Sequence, residues 1–133
     1  MEGKGANITE AEWPIMAFLW RRETATAAEI VDEVLRDRDI SMRTVKSLLG
    51  RLVAKGAVAY TVDPADARVY HYRAAVARDE AVGAKKRVFL GTVFDNNPLD
   101  LLAHFVNEAD LSPRDLDELR AILDKKRKDG DDG

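Results

Sequence analysis

Apolar residues recur with a helical period through the first third of the chain. Trp13, Met16, Ala17 and Trp20 fall at i, i+3, i+4 and i+7 and predict one buried stripe. Thr9-Glu10-Ala11-Glu12 just before them is spaced as a capping box, in which the hydroxyl and the carboxylate satisfy free N–H groups reciprocally. Pro14, placed just past the first turn, removes a hydrogen bond to Glu10 and predicts a loosened or slightly bent opening. A second box, Thr26-Ala27-Ala28-Glu29, introduces a helix with Ala27, Ile30, Val31 and Val34 on its inner face and Arg36-Asp37-Arg38-Asp39 at its end. A third helix opens at Ser41, carries Val45, Leu48, Leu49, Leu52 and Val53 on one face, and stops at Gly56.

Beyond Gly56 the period falls to two. Val58, Tyr60 and Val62 alternate, Asp63-Pro64-Ala65-Asp66 supplies turn residues, and Val69-Tyr70-His71-Tyr72 is rich in strand formers, which predicts a β-hairpin. Three helices followed by a hairpin is the element order of a winged helix-turn-helix. Helical spacing returns from about Ala77, with Val82, Lys86, Phe89, Leu90 and Val93 along one side. Asn97-Pro98 opens a further helix bearing Leu101, Leu102, Phe105 and Val106, and Ser112-Pro113 another bearing Leu116, Leu119, Ile122 and Leu123. Lys125 to Lys128 and the following Asp129 to Gly133 have no apolar anchor, and predict a disordered charged tail.

The expected fold is therefore mainly α. A winged helix-turn-helix over 1–74 is followed by a three-helix lobe over 75–124 and a tail over 125–133. A lobe of about fifty residues buries only roughly 60% of its unfolded surface and is marginal alone. Pairing with a second copy would complete its core, which makes Phe89, Val93, Leu101, Leu102, Phe105, Leu116, Leu119 and Leu123 the expected dimerisation residues.

Composition narrows the chemistry. At 133 residues, with 46% hydrophobic and 34% charged, the chain has the makings of a globular protein but little room for a deep catalytic cleft between domains. The absence of cysteine excludes a disulfide scaffold, a thiolate nucleophile and a zinc finger; His71 and His104 alone cannot build a metal site. No nucleophile with a base and no glycine-rich phosphate loop is evident, so neither an enzyme nor a cofactor is expected. No apolar run approaches the roughly 20 residues of a bilayer span, and no basic-then-apolar leader opens the sequence, so the expected setting is cytoplasmic without membrane insertion.

The net charge of -3 conceals an uneven distribution. Between Ser41 and Arg73 stand six cations, Arg43, Lys46, Arg51, Lys55, Arg68 and Arg73, against only Asp63 and Asp66. On a helical wheel Arg43, Lys46, Ser47, Gly50 and Arg51 gather opposite the leucine stripe, with Thr44 beside Arg43. Such a face suits a major groove. Arg43, near the helix start, is placed for base edges, where arginine matches the paired acceptors of guanine. Lys46 and Ser47 reach bases or phosphates, and Arg68 at the hairpin tip a phosphate or the minor groove. Gly50 weakens the helix by roughly 1 kcal/mol relative to alanine, through simple tolerance or because something must approach the backbone closely. Trp13 and Trp20 read as core, Tyr60, Tyr70 and Tyr72 as strand residues packing the hairpin onto the helices, and His104 as a satisfied helix histidine.

Three segments resemble the penicillinase-repressor family of bacterial transcription regulators. These are Ile8-Thr9-Glu10-Ala11-Glu12-Trp13, then Thr44 to Leu52 with Lys55-Gly56-Ala57, and His104-Phe105-Val106 with Leu111-Ser112. The resemblance implies a DNA-binding domain from about Ile8 to Arg73 and a dimerisation region from about Ala75 to Leu123. It further implies a homodimeric repressor covering a palindromic duplex operator beside the genes it silences, often β-lactam resistance genes. Release would follow cutting by a membrane-bound sensor metalloprotease at the bond corresponding to His104-Phe105. This chain has His104 where the cleaved relatives carry asparagine, and it lacks the cysteine cluster of copper-responsive members. Two other readings of the residues stay open: a winged-helix module that docks its third helix on an acidic protein, and a regulator that senses a small ligand in its helical lobe.

Overall fold

The computed structural model describes residues 7–132. In chain order the elements are α1 (Trp13–Arg22), β1 (Ala25–Thr26), α2 (Ala27–Leu35), α3 (Met42–Ala54), β2 (Val58–Val62), β3 (Tyr70–Ala74), α4 (Arg78–Phe94), α5 (Pro98–Glu108) and α6 (Pro113–Asp132). This is a mainly helical winged helix-turn-helix. The chain separates into two compact units that meet within α4, at Val88 and Phe89.

In the first unit the capping chemistry is as expected. The Thr9 hydroxyl accepts from Glu12 N at 3.2 Å and the Glu12 carboxylate accepts from Thr9 N at 3.0 Å. These bonds close a separate turn over residues 10–12, and the regular helix begins at Trp13. Pro14 thereby lies in the first turn, where a missing N–H leaves nothing unsatisfied, rather than past it. The buried stripe is shifted by one residue from the expected one: Glu12, Ile15, Met16 and Leu19 are buried, while Trp13, Ala17 and Trp20 are half-buried beside them. Trp13 and Trp20 meet edge to face at 5.3 Å and pack against the core.

Thr26 and Glu29 form the complete capping box of α2, whose Ile30, Val31 and Val34 are buried. The Ser41 hydroxyl accepts from Thr44 N at 3.1 Å to start α3, which buries Val45, Leu48, Leu49 and Leu52. Gly56, at φ 84°, ends it: Ala57 N reaches Leu52 O at 2.9 Å and Gly56 N reaches Val53 O at 3.1 Å. That paired pattern needs a left-handed residue, which glycine adopts without a Cβ clash. The chain then turns directly into β2. A strand absent from the sequence reading, β1, joins the hairpin to give an antiparallel sheet of order β1-β3-β2, with Ala25 opposite Tyr72 and Tyr60 also opposite Tyr72 from the other side.

This core runs past the expected boundary at residue 74. Val76 and Ala81 are buried in it, and Trp20 Nε1 donates to Val76 O at 3.0 Å. An indole whose N–H is satisfied by the segment after the hairpin binds that segment to the first unit.

In the second unit Asn97 caps α5 by accepting from Asp100 N, and Ser112 and Asp115 cap α6 reciprocally. Asp95 and Asn96, both at positive φ, make the turn out of α4. Across 89–130 no residue is buried. The tail expected over 125–133 is a correction: α6 continues through the lysines to Asp132, Gly133 lying outside the described residues, as do 1–6 at the start of the expected first domain. Lysine and arginine are good helix formers, and Asp124 stands four residues before Lys128 in the favourable order, so the helix needs no apolar anchor to persist.

Candidate nucleic-acid interface

Burying Val45, Leu48, Leu49 and Leu52 turns the opposite side of α3 outward. Arg43, Thr44, Lys46, Ser47, Gly50 and Arg51 are all exposed, so the expected face exists as one surface. Its members differ in what else they touch. Thr44 and Ser41 share a hydroxyl contact at 3.0 Å, which ties Thr44 to the helix cap. Arg51 leans back toward the start of α1, its Nε 3.6 Å from Glu12 Oε2, with its side chain still 61% exposed.

Glu12 is the residue the sequence reading undervalued. Its side chain is 0% exposed, yet it gathers Lys55 Nζ at 2.7 Å, Thr9 N at 3.0 Å and the Arg51 guanidinium. Lys55 also donates to Asn7 O at 3.0 Å. Burial pushes the Glu12 carboxyl up, but the Lys55 ammonium and the Thr9 N–H outweigh it and hold the group below its ordinary range. Glu12 is thus more than a cap: it fastens the end of α3 to the beginning of α1. The i, i+4 spacing of Arg51 and Lys55 was visible in the sequence; their common anion was not.

The hairpin supplies the second part. Asp63 organises its loop by accepting from Ala65 N at 2.7 Å and Asp66 N at 3.2 Å, and it meets His71 Nε2 at 2.8 Å. The His71 hydrogen bond, followed by the loop N–H groups, holds the Asp63 carboxyl below its usual range. Arg68 is 89% exposed and forked onto Asp66 through Nε at 3.1 Å and Nη2 at 3.2 Å. The fork gives this exposed guanidinium a preferred orientation.

Tyr60, Val62, Tyr70 and Tyr72 share one face of the hairpin, since Tyr60 lies opposite Tyr72 and Val62 opposite Tyr70. Tyr60 and Tyr70 are exposed and stacked at 4.6 Å, a departure from the expectation that all three tyrosines pack onto the helices; Tyr72 alone packs against the core. Between this face and α3 lies a hollow of about 310 Å³, lined by Lys46, Gly50 and Val53 from the helix and Arg68, Tyr70 and Tyr72 from the hairpin. Lys46 and Arg68 therefore converge on one groove.

The remaining expected residues lie in the second unit. His104 and Phe105 are on the exposed side of α5, with His104 Nε2 3.3 Å from Glu108 Oε2. Of the expected dimerisation residues, Phe89, Val93, Leu102, Phe105, Leu116 and Leu123 are exposed, and Leu101 and Leu119 are half-exposed. Among the described residues no three metal-ligating groups come together, and no helix is long and apolar enough to cross a membrane.

The penicillinase repressor family model matches residues 8–125. The methicillin resistance regulatory protein MecI of Mammaliicoccus sciuri is 31% identical over 95% of this chain and 100% of its own length. The penicillinase repressor of Staphylococcus aureus is 26% identical over 92% and 95% respectively. Among solved structures, the DNA-binding domain of the repressor BlaI superposes with a TM-score of 0.51 at 24% identity, covering 60% of this chain and 93% of that domain. A Staphylococcus aureus MepR variant bound to an oligodeoxyribonucleotide superposes with a TM-score of 0.52 at 21% identity, covering 92% and 80%. The two solved structures agree with the fold, and the match across nearly the whole length decides the lineage: this chain belongs to the penicillinase repressor family.

Proposed function

We propose that the protein is a transcriptional repressor that binds duplex DNA, with α3 in the major groove and the β2–β3 hairpin along the flanking backbone. The observation that carries this reading is the outward face of α3, where Arg43, Lys46, Ser47 and Arg51 are all exposed, with Met42 exposed beside Arg43, while the leucine side anchors the helix. Arg43, in the first turn of the helix, reads base edges; Thr44, Ser47 and Lys46 contact the adjacent edges and phosphates; Arg51 and Arg68 engage the backbone. Relatives named as regulators of methicillin resistance and of penicillinase make β-lactam resistance genes the proposed targets.

The working form is a homodimer on a palindromic operator. The apolar residues left exposed on α5 and α6, Phe105 at 52% and Leu123 at 60% among them, are supplied with a partner if two second units pair. A two-fold pair presents two α3 helices to successive major grooves, about 34 Å apart, as an inverted repeat requires. Proteolytic release at His104-Phe105, which the family resemblance implies, would require α5 to unwind locally, because that bond lies inside the helix.

Binding titrations against duplex DNA at several salt concentrations test the proposal. With Lys46, Arg51 and Arg68 on phosphates in both protomers, log K should fall against log salt with a slope of about -5, a loss of about 10³-fold between 50 and 200 mM. Affinity indifferent to salt overturns the reading.

A further inference from the structure

Gly50 has no reason in the fold to be glycine. It lies inside α3, where glycine weakens the helix, and its φ is not positive; Gly56 is the glycine that needs that freedom. A Cβ built at Gly50 meets nothing within 4 Å. Neither backbone conformation nor packing therefore excludes a side chain at this position.

What Gly50 does border is the hollow between α3 and the hairpin. At about 310 Å³ it has room for a group of many atoms. Two cations converge on it. Lys46 comes from the preceding turn of α3, and Arg68 reaches from the hairpin tip, oriented by its fork onto Asp66. That fork occupies two of the five guanidinium N–H groups and leaves three. The opposite wall is aromatic, Tyr70 and Tyr72, stiffened by the stacking of Tyr60 on Tyr70 with ring planes 5° apart.

We propose that the missing side chain of Gly50 opens a seat for one sugar-phosphate unit of the DNA backbone, its phosphate held by Lys46 and Arg68 and its deoxyribose lying on the Tyr70 and Tyr72 rings. The charge of the rim selects an anion, and the apolar wall selects an anion joined to a carbon framework, which a backbone phosphodiester is and an inorganic ion is not. Gly50 is a positioning residue in this scheme. It sets how closely α3 and the hairpin straddle a strand, and makes no contact through a side chain. The inference rests on the duplex-binding reading above.

The variants Gly50→Ala and Gly50→Leu separate this role from a structural one. Alanine and leucine both favour helix over glycine, so thermal melting of either variant should occur at or above the wild-type temperature. Duplex affinity, measured by fluorescence anisotropy on a fragment selected by the wild-type protein, should fall in the opposite sense, several-fold for Gly50→Ala and at least tenfold for Gly50→Leu. The salt slope of Gly50→Leu should become shallower by about one for each seat lost. Variants that bind within twofold of wild type overturn the inference while leaving duplex binding intact. A wild-type protein that ignores duplex DNA at low salt overturns both. Lowered melting temperatures alongside weaker binding also overturn it, by assigning Gly50 to the fold.

Discussion

Replacing Glu12 with glutamine tests whether the end of α3 is held in place by charge. Glutamine keeps the length of the side chain and an oxygen to accept from Thr9 N, but it removes the anion that Lys55 meets at 2.7 Å and Arg51 at 3.6 Å. Stranding a buried charge costs about 3 to 5 kcal/mol when that charge cannot escape. Here the cations have an exit, since the Lys55 side chain is 28% exposed and that of Arg51 61% exposed. The cost therefore falls to that of a charge-assisted hydrogen bond, about 2 kcal/mol. In a domain of this size that lowers the melting temperature by about 8 to 16 °C. Glu12→Ala forfeits the cap as well, for a total of about 3 kcal/mol.

Denaturant titration of Glu12→Gln, Lys55→Met and the double variant should return a coupling of about 1.5 to 2 kcal/mol. The pH dependence carries its own sign. The folded carboxyl lies below its ordinary value of 4.5, so its contribution is present above that value and disappears as pH falls through the lower, folded one. The gap between wild type and Glu12→Gln should therefore be widest near neutrality and close on acidification. A gap below about 0.5 kcal/mol at pH 7, or one that persists unchanged to pH 3, would refute the reasoning.

Arg43→Ala should weaken binding to a selected duplex by about 1 to 3 kcal/mol and relax the preference at one base position, as seen by repeating the selection with the variant; equal loss on every sequence would demote Arg43 to a backbone contact. In the proposed homodimer, Phe105→Asp should shift the sedimentation equilibrium toward monomer while the near-ultraviolet signal of Trp13 and Trp20 persists. An unchanged dimer would place the subunit contact elsewhere.

The features legible in the sequence are those set by neighbours along the chain. The capping boxes at Thr26 and Ser41 and the leucine face of α3 depend on groups three or four residues apart, so Arg43, Lys46 and Ser47 were assigned to the outward side from spacing alone. The spacing leaves the α1 stripe ambiguous by one position because Ile15, Phe18 and Leu19 are as apolar as Trp13, Ala17 and Trp20, and only packing on several sides shows which are sealed. The lack of an apolar anchor over 125–132 does not show that α6 continues through it, because solvated lysines sustain a helix without any core.

Thus the sequence by itself determined the order of the helices and the hairpin, the caps that start the helices and the cationic side of α3, all products of local hydrogen bonding and short-range periodicity. Tertiary structure alone decided the rest. Ala25–Thr26 becomes a strand only by pairing with β3, and Glu12 becomes the anchor of Lys55 and Arg51 only because α1 and α3 are brought together. Likewise Lys46, Gly50, Arg68 and two tyrosines line one groove only once the hairpin folds back beside the helix. Contacts between residues tens of positions apart, such as Glu12 with Lys55 and Ala25 with Tyr72, depend on how the core closes, and no local pattern encodes that closure.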